Sequence, residues 1–225
     1  MMTSPLPLAP LTEWVERQLE CAKTPWQVGH QGQLLRYRDN GWDLVIKCPQ
    51  GRGVRGWWSR ASLRREHAAY QRLHGVAGIP RCYGLLPGGY LVLEFIESEA
   101  FRGADIADRQ AWFARLLTIV EQCHQRGVAH GDLKRKANLL LDAQGQAVVV
   151  DFGTAWLRKS GFSPLNQAIF RYLARTDINA CIKHKYRGRY DQVSADDALR
   201  LRYSRLERWI NRWRHWRERR RMRKH

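Results

Sequence analysis

Residues 130–153 read HGDLKRKANLLLDAQGQAVVVDFG. Leu139-Leu140-Leu141 and Ala147-Val148-Val149-Val150 are short apolar runs, and Asp142-Ala143-Gln144-Gly145 between them is turn chemistry, so the segment predicts a β-hairpin. A hairpin returns its two ends to one place. It therefore brings Asn138 and Asp151 together, with Asp132 just outside, and three oxygen-bearing side chains share one site. A lone Asp or Asn is ordinarily a turn residue; three at the mouth of one hairpin point to chemistry.

The chemistry that needs such a set is phosphoryl transfer, in which a protein positions magnesium-bound phosphates and orients an attacking hydroxyl. Magnesium takes hard oxygen ligands, so Asp151 offers a carboxylate and Asn138 an amide oxygen, while Asp132 can accept the proton of an incoming alcohol. Lys134 can neutralise charge on the moving group. Here the chain resembles the protein-kinase superfamily, whose H-R-D-L-K-x-x-N loop and D-F-G motif stand as HGDLKRKAN and DFG. The resemblance implies an α+β, two-lobed protein-kinase-like fold, with a small β-rich N-lobe and a shortened helical C-lobe. It departs from the pattern twice: Gly131 replaces the usual Arg, and one additional residue separates Asp132 from Asn138. Without that Arg, switching by a phosphorylated activation loop is not expected.

Upstream, Gln33 to Tyr37 reads as a strand, Asp39-Asn40-Gly41 as a hairpin turn and Trp42 to Lys47 as the returning strand. Its end, Leu44-Val45-Ile46-Lys47, is similar to the V-A-I-K of kinases, which implies that Lys47 holds nucleotide phosphates. Glu66, in a helix expected over residues 59–74, lies at the separation of the acid that pairs with that Lys. Gly29-His30-Gln31-Gly32 is the candidate phosphate loop, with Gly29 and Gly32 only, a shortened form of the family motif. Gly51, Gly53 and Gly56 follow the Lys strand and read as a basic connector. Arg81 to Leu86 and Tyr90 to Ile96 read as strands joined by Pro87-Gly88-Gly89; the resemblance puts Leu93 behind the adenine and backbone groups of Glu94 and Ile96 at its edge. A helix over residues 109–126 buries Trp112, Leu116, Ile119, Val120 and Cys123 at helical spacing.

No A-P-E motif follows Gly153, and what remains resembles compact prokaryotic kinase-like families, among them RIO-type protein kinases and lipopolysaccharide core sugar kinases. Asp177 is a candidate brace for the catalytic loop, against an ordinary helix-surface acid. The expected organisation is an N-terminal extension over residues 1–23, where Thr12 would cap a helix, an N-lobe over 24–97, a C-lobe over 98–193 and a basic amphipathic helix over 194–225. In that last helix Ser194 is the cap, and Leu199, Tyr203, Leu206, Ile210 and Trp213 form a stripe among arginines, which fits either an anionic membrane surface or packing on the C-lobe.

A chain of 225 residues with 44% apolar and 27% charged content can build a full core, and its net charge of +18 calls for an acidic partner. Five scattered cysteines suit a reduced compartment, and no apolar run reaches a spanning length. The expected place is cytoplasmic, peripheral to the inner membrane face through the C-terminal helix. The expected function is an ATP- and Mg2+-dependent kinase acting on a hydroxyl acceptor, protein Ser/Thr first and a glycolipid sugar second. A pseudokinase or a nucleic-acid-binding module ranks below both, since Lys47, Glu66, Asp132, Asn138 and Asp151 are all present and no base-reading element accompanies the arginine-rich tail.

Overall fold

The computed structural model, described for residues 8–20, 27–29, 32–39, 41–51 and 53–201, begins with helix α1 (Leu8–Glu20). Leu11 and Val15, four residues apart and therefore on one helix face, are almost wholly buried. Thr12 does not cap this helix. The helix starts ahead of it because Pro10 falls in the first turn, where N–H groups have no intrahelical partner to lose.

α1 covers an antiparallel sheet. Its strands are β1 (Gln27–Gly29), β2 (Gly32–Asp39), β3 (Trp42–Cys48), and, after helix α2 (Gly53–Arg72), β4 (Cys82–Leu86) and β5 (Tyr90–Glu94), in the order β1-β2-β3-β5-β4. The hairpin expected at Asp39–Gly41 is present, with Asp39 opposite Trp42 and Gly41 at φ 80°. Leu35, Tyr37, Leu44, Ile46 and Val92 meet Leu11 and Val15 in one apolar cluster.

α2 starts six residues earlier than the sequence pattern suggests, so Gly53 and Gly56 stand in its first turn and only Gly51 lies in the connector. Gly56 permits this. A Cβ at this position would stand 2.5 Å from the Gly51 carbonyl, so only glycine lets the incoming loop lie against the helix. Farther along, α2 buries Leu63, Ala69 and Tyr70 in the larger core, joined by Leu73 in the turn that follows it.

Beyond the sheet come β6 (Ser98–Ala100), α3 (Arg109–Gln125), β7 (Val128–Ala129), β8 (Leu139–Asp142), β9 (Ala147–Val149), β10 (Trp156–Leu157), α4 (Pro164–Lys185) and α5 (Ala195–Arg200). Asp108 caps α3 by accepting the Ala111 N–H at 2.9 Å. The five apolar residues expected on its inner face are all buried. β6, β8 and β9 form one small sheet, β7 and β10 another. Cys48, Cys123 and Cys181 are buried and Cys82 half-buried, all free, with burial pushing the Cys48 and Cys123 thiols up to about 12; they are packing residues.

Ser194 caps α5 as expected, accepting the Asp197 N–H at 3.3 Å, and Asp197 in turn takes Lys185 and Tyr186, both at 2.6 Å. α5 ends at Arg200, with Leu201 extended and Leu199, the first member of the stripe, 80% exposed. Its remaining members, from Tyr203 onward, lie outside the described residues. Among the described residues no helix is long and apolar enough to cross a membrane.

Candidate active site

The hairpin of β8 and β9 closes as its sequence implies, with Leu139 opposite Val149, and the Val150 N–H donates to the Asn138 carbonyl at 3.0 Å. Asn138 and Asp151 therefore flank one mouth. Asp151 sits at φ 68°, ψ 69°, a left-handed conformation that is rare outside glycine and is held here by its surroundings. The next residue, Phe152, is fully buried, with its ring 5.1 Å from that of Tyr70 and 4.8 Å from that of His130. Anchoring the Phe on one side of the chain fixes the Asp on the other.

Asp151 Oδ1 lies 2.9 Å from Lys47 Nζ, which also meets Glu66 Oε1 at 2.6 Å. Three elements far apart in sequence, the end of β3, the middle of α2 and the segment after β9, thus converge on one ammonium. Burial opposes the charge on Lys47, but Glu66 and then Asp151 outweigh it and hold its pKa above the ordinary lysine value. Burial pushes the Glu66 carboxyl up against the pull of Lys47; with two carboxylates facing one ammonium, the charged Lys47 prevails. Ser62 Oγ and Arg65 Nη2 donate to the Gly153 carbonyl at 3.3 and 2.9 Å, tying α2 to the same segment.

The loop carrying Asp132 is braced from behind. Asp177, 1% exposed in α4, accepts the backbone N–H groups of His130 and Gly131 at 2.8 and 2.9 Å, with His124 Nε2 at 3.2 Å. The surface alternative for Asp177 is excluded by that burial. Gly131 sits at φ 79°, which accounts for glycine where the family has Arg. The additional residue is absorbed in a 3₁₀ turn over Lys136–Asn138, which returns Asn138 so that its Nδ2 donates to the Asp132 carbonyl at 3.0 Å.

Lys134 is exposed on this loop, and among the described residues no ion pair joins it to Asp132. Arg135 does so instead, with Nε 3.2 Å from Asp132 Oδ2. Sequence reasoning missed Arg135, although the i,i+3 acid–base pair within DLKR, residues 132–135, was a readable signal.

Gly29 and Gly32 pair across the mouth of β1 and β2, and the loop residues between them lie outside the described residues. β2 and β3 are in register with Leu34 opposite Lys47, so Gly32 lies on the strand beside the lysine and Gly29 on the strand beyond it. On the other side of β3, Glu94 ends β5, its N–H taken by the Arg81 carbonyl at 2.8 Å and its carboxylate by the Arg81 N–H at 2.9 Å. An adenine edge here would meet the Glu94 carbonyl rather than its N–H. Ile96 follows, with its carbonyl accepting from Ser98 Oγ at 3.0 Å.

The donor set fits magnesium. Asn138 has committed its Nδ2, which leaves its amide oxygen as an acceptor, and Asp151 has a second carboxylate oxygen beyond the one on Lys47. Two hard protein oxygens with remaining positions for phosphate and water is the usual arrangement for this ion.

A family model described as protein kinase domain matches residues 37–174, more than half of the chain, taking in Lys47, Glu66, Asp132, Asn138 and Asp151 and leaving out Gly29, Gly32 and Asp177. CBL-interacting protein kinase 30 of Oryza sativa subsp. japonica is 43% identical over 100 residues, 42% of this chain and 20% of that protein. CBL-interacting protein kinase 25 of the same organism is 32% identical over 138 residues, 55% of this chain and 27% of that protein. The chain thus spans about a quarter or less of the length of these curated relatives. Among solved structures, the Rio2 kinase from Chaetomium thermophilum superposes with a TM-score of 0.58 at 17% identity, covering 88% of this chain and 68% of that one. The ADP/Mg2+-phosphoaspartate complex of that kinase gives 0.57 over 84% and 62%.

Proposed function

The chain belongs to the protein kinase domain family, and from that membership we propose that it is an active ATP-dependent phosphotransferase moving the γ-phosphate of Mg-ATP to a hydroxyl, with a protein Ser/Thr side chain as the first candidate acceptor. The observation that carries the proposal is Lys47 held between Glu66 and Asp151. A degenerate relative that only binds has no chemical need to keep a buried Lys47–Glu66 pair aimed at a partly exposed Asp151.

In this reading residues 24–97 hold the nucleotide and residues 98–193 carry the chemistry. Lys47 positions phosphate oxygens and Glu66 orients Lys47. Gly29 and Gly32 cover the phosphates by backbone, while the Glu94 carbonyl and the Ile96 N–H meet the base. Asp132 accepts the proton of the acceptor hydroxyl, and Lys134, with Arg135, balances charge at the acceptor side. Magnesium, held by Asn138 and Asp151, supplies neutralisation of the phosphates.

A second acceptor class, a glycolipid sugar, is favoured by one observation: α4 begins at Pro164, so only residues 154–163 separate the DFG segment from it, a short platform for a peptide. Residues 202–225, rich in arginine and tryptophan, are assigned to an anionic membrane surface at the cytoplasmic face, with release by salt. The deciding experiment is incubation of the protein with γ-labelled ATP and whole-cell extract, split into protein and glycolipid fractions. Label in the protein fraction supports the first acceptor and label in the glycolipid fraction the second. Absence of ATP turnover, with RNA retained at moderate salt, would replace the enzyme by a nucleic-acid binder.

A further inference from the structure

α2 carries two stripes. One, comprising Leu63, Glu66, Ala69 and Tyr70, is buried. The other runs Val54, Trp57, Trp58, Ala61 and then Arg64 and Arg65, at the i, i+3, i+4, i+7 spacing of a single helix face. Val54, Trp57 and Trp58 are 73%, 60% and 65% exposed, and no element among the described residues covers them. The two indoles lean on each other edge to face, with centroids 5.2 Å apart.

This end of the helix is firmly held. The Gln50 N–H donates to Ser59 Oγ at 3.0 Å, Arg60 Nε donates to the Gly88 carbonyl at 3.3 Å, and the Gly51 carbonyl lies against Gly56. Two tryptophans are thus presented outward on a braced helix. Residues 51–65 also hold five arginines and no acid, in a chain of net charge +18. An exposed tryptophan pair on a helix whose only charged neighbours over residues 51–65 are arginines is the composition of a segment lying in the headgroup region of an anionic bilayer, where the indole straddles the interface and the guanidinium meets lipid phosphate.

We propose that the outer face of α2, through Val54, Trp57 and Trp58 with Arg55, Arg64 and Arg65, docks the protein on an anionic lipid surface, independently of the C-terminal segment. An acidic protein partner is disfavoured because the ridge stands on the outer face of a single helix and offers no groove, whereas a bilayer conforms to it. The surface adjoins the catalytic segment, since Arg65 bonds the Gly153 carbonyl.

The test is sedimentation of the full-length protein with vesicles of phosphatidylcholine alone and of phosphatidylcholine containing a third phosphatidylglycerol, comparing wild type with Trp57→Ala/Trp58→Ala and Trp57→Phe/Trp58→Phe. The expected result is binding to the anionic vesicles only, weakened about tenfold or more in the alanine pair and largely kept in the phenylalanine pair. Unchanged melting temperatures are expected, because the indoles are solvent-facing. Equal binding by the alanine pair would assign membrane binding to another segment and overturn the proposal. So would a melting temperature lowered by several degrees, which would show the ridge covered by the protein itself, or a wild-type dimer that the alanine pair abolishes without effect on vesicles.

Discussion

Asp177, buried in α4, accepts the backbone N–H of His130 at 2.8 Å across 47 positions of sequence. The same carboxylate takes the Gly131 N–H, so the residue just before Asp132 is fixed by a helix rather than by its own loop. Asp177→Ala orphans two backbone donors, each worth about 1–3 kcal/mol when left unpaired. The expected outcome is a clear loss of stability in urea and a fall in phosphotransfer larger than the fall in ATP affinity. A variant of wild-type stability would show that the loop holds itself.

The two aspartates of the site separate by assay. Asp132→Ala should lower phosphotransfer by about 10² to 10⁴ with ATP affinity nearly intact, because the role proposed for it is on the acceptor and not on the nucleotide. Asp151→Ala should weaken magnesium-dependent nucleotide binding and also release one side of Lys47. Calorimetric titration of ATP with and without Mg2+ distinguishes them, and full turnover by the Asp132 variant would remove its assigned role.

Lys47 and Glu66 are 13% and 0% exposed at their side chains, so their pairing is a buried one. Lys47→Met leaves Glu66 charged without its partner, at a cost of about 3–5 kcal/mol. Lys47→Met/Glu66→Leu should regain much of that stability and none of the activity. If the double variant is no more stable than the single one, the acid is satisfied by something other than Lys47.

The parts legible from sequence were those with a local pattern and a chemical motif together. Lys47 ends an alternating strand, Glu66 follows on a helix, and Asn138 and Asp151 bracket a hairpin, so period and turn chemistry place these residues and the resemblance to the kinase motifs joins them into one centre. Asp177 was legible only as an alternative, since an acid in a helix says nothing about what its carboxylate meets. The start of α2 was misplaced because three glycines read as a loop, whereas Gly56 is there for a close backbone approach. Thr12 was misread because capping residues are also tolerated inside helices. Arg135 went unread because the family motif drew the reading to Lys134, whose proposed role toward the phosphoryl group is separate from the ion pair that Arg135 forms with Asp132.

His184 links acidity to the catalytic loop. Its ring, buried in α4, bonds the Leu133 carbonyl at 2.9 Å, one residue beyond Asp132. Burial lowers its pKa against the bond to Leu133, and Lys136, Lys183 and Arg109 lower it further. A depressed folded pKa means that the unfolded chain takes the proton first, so the contribution to stability is complete above about pH 6.5 and is lost as pH falls through the folded value. Wild type should therefore melt lower at pH 5.5 than at pH 7.5, and His184→Gln, which can donate to Leu133 without titrating, should show a smaller difference. His67, lowered by burial as well, leaves a residual slope in both. Identical slopes would exclude His184 as the source.

Gly131 bears on regulation. A Cβ at this residue would sit 3.2 Å from the Thr154 carbonyl, at a φ of 79° that costs an L-residue about 1–2 kcal/mol. Thr154 cannot easily yield, because its own hydroxyl donates to the His130 carbonyl at 3.1 Å. The loop is therefore built around glycine, and an Arg introduced there meets strain before it meets any phosphate. Protein purified without modification should already be active, phosphatase treatment should change its rate little, and Gly131→Arg should lower the melting temperature without making activity depend on phosphorylation. A large loss of activity on dephosphorylation of the wild-type protein would mean that a different basic residue reads a phosphate, and Arg135, already on Asp132, would be the first to substitute.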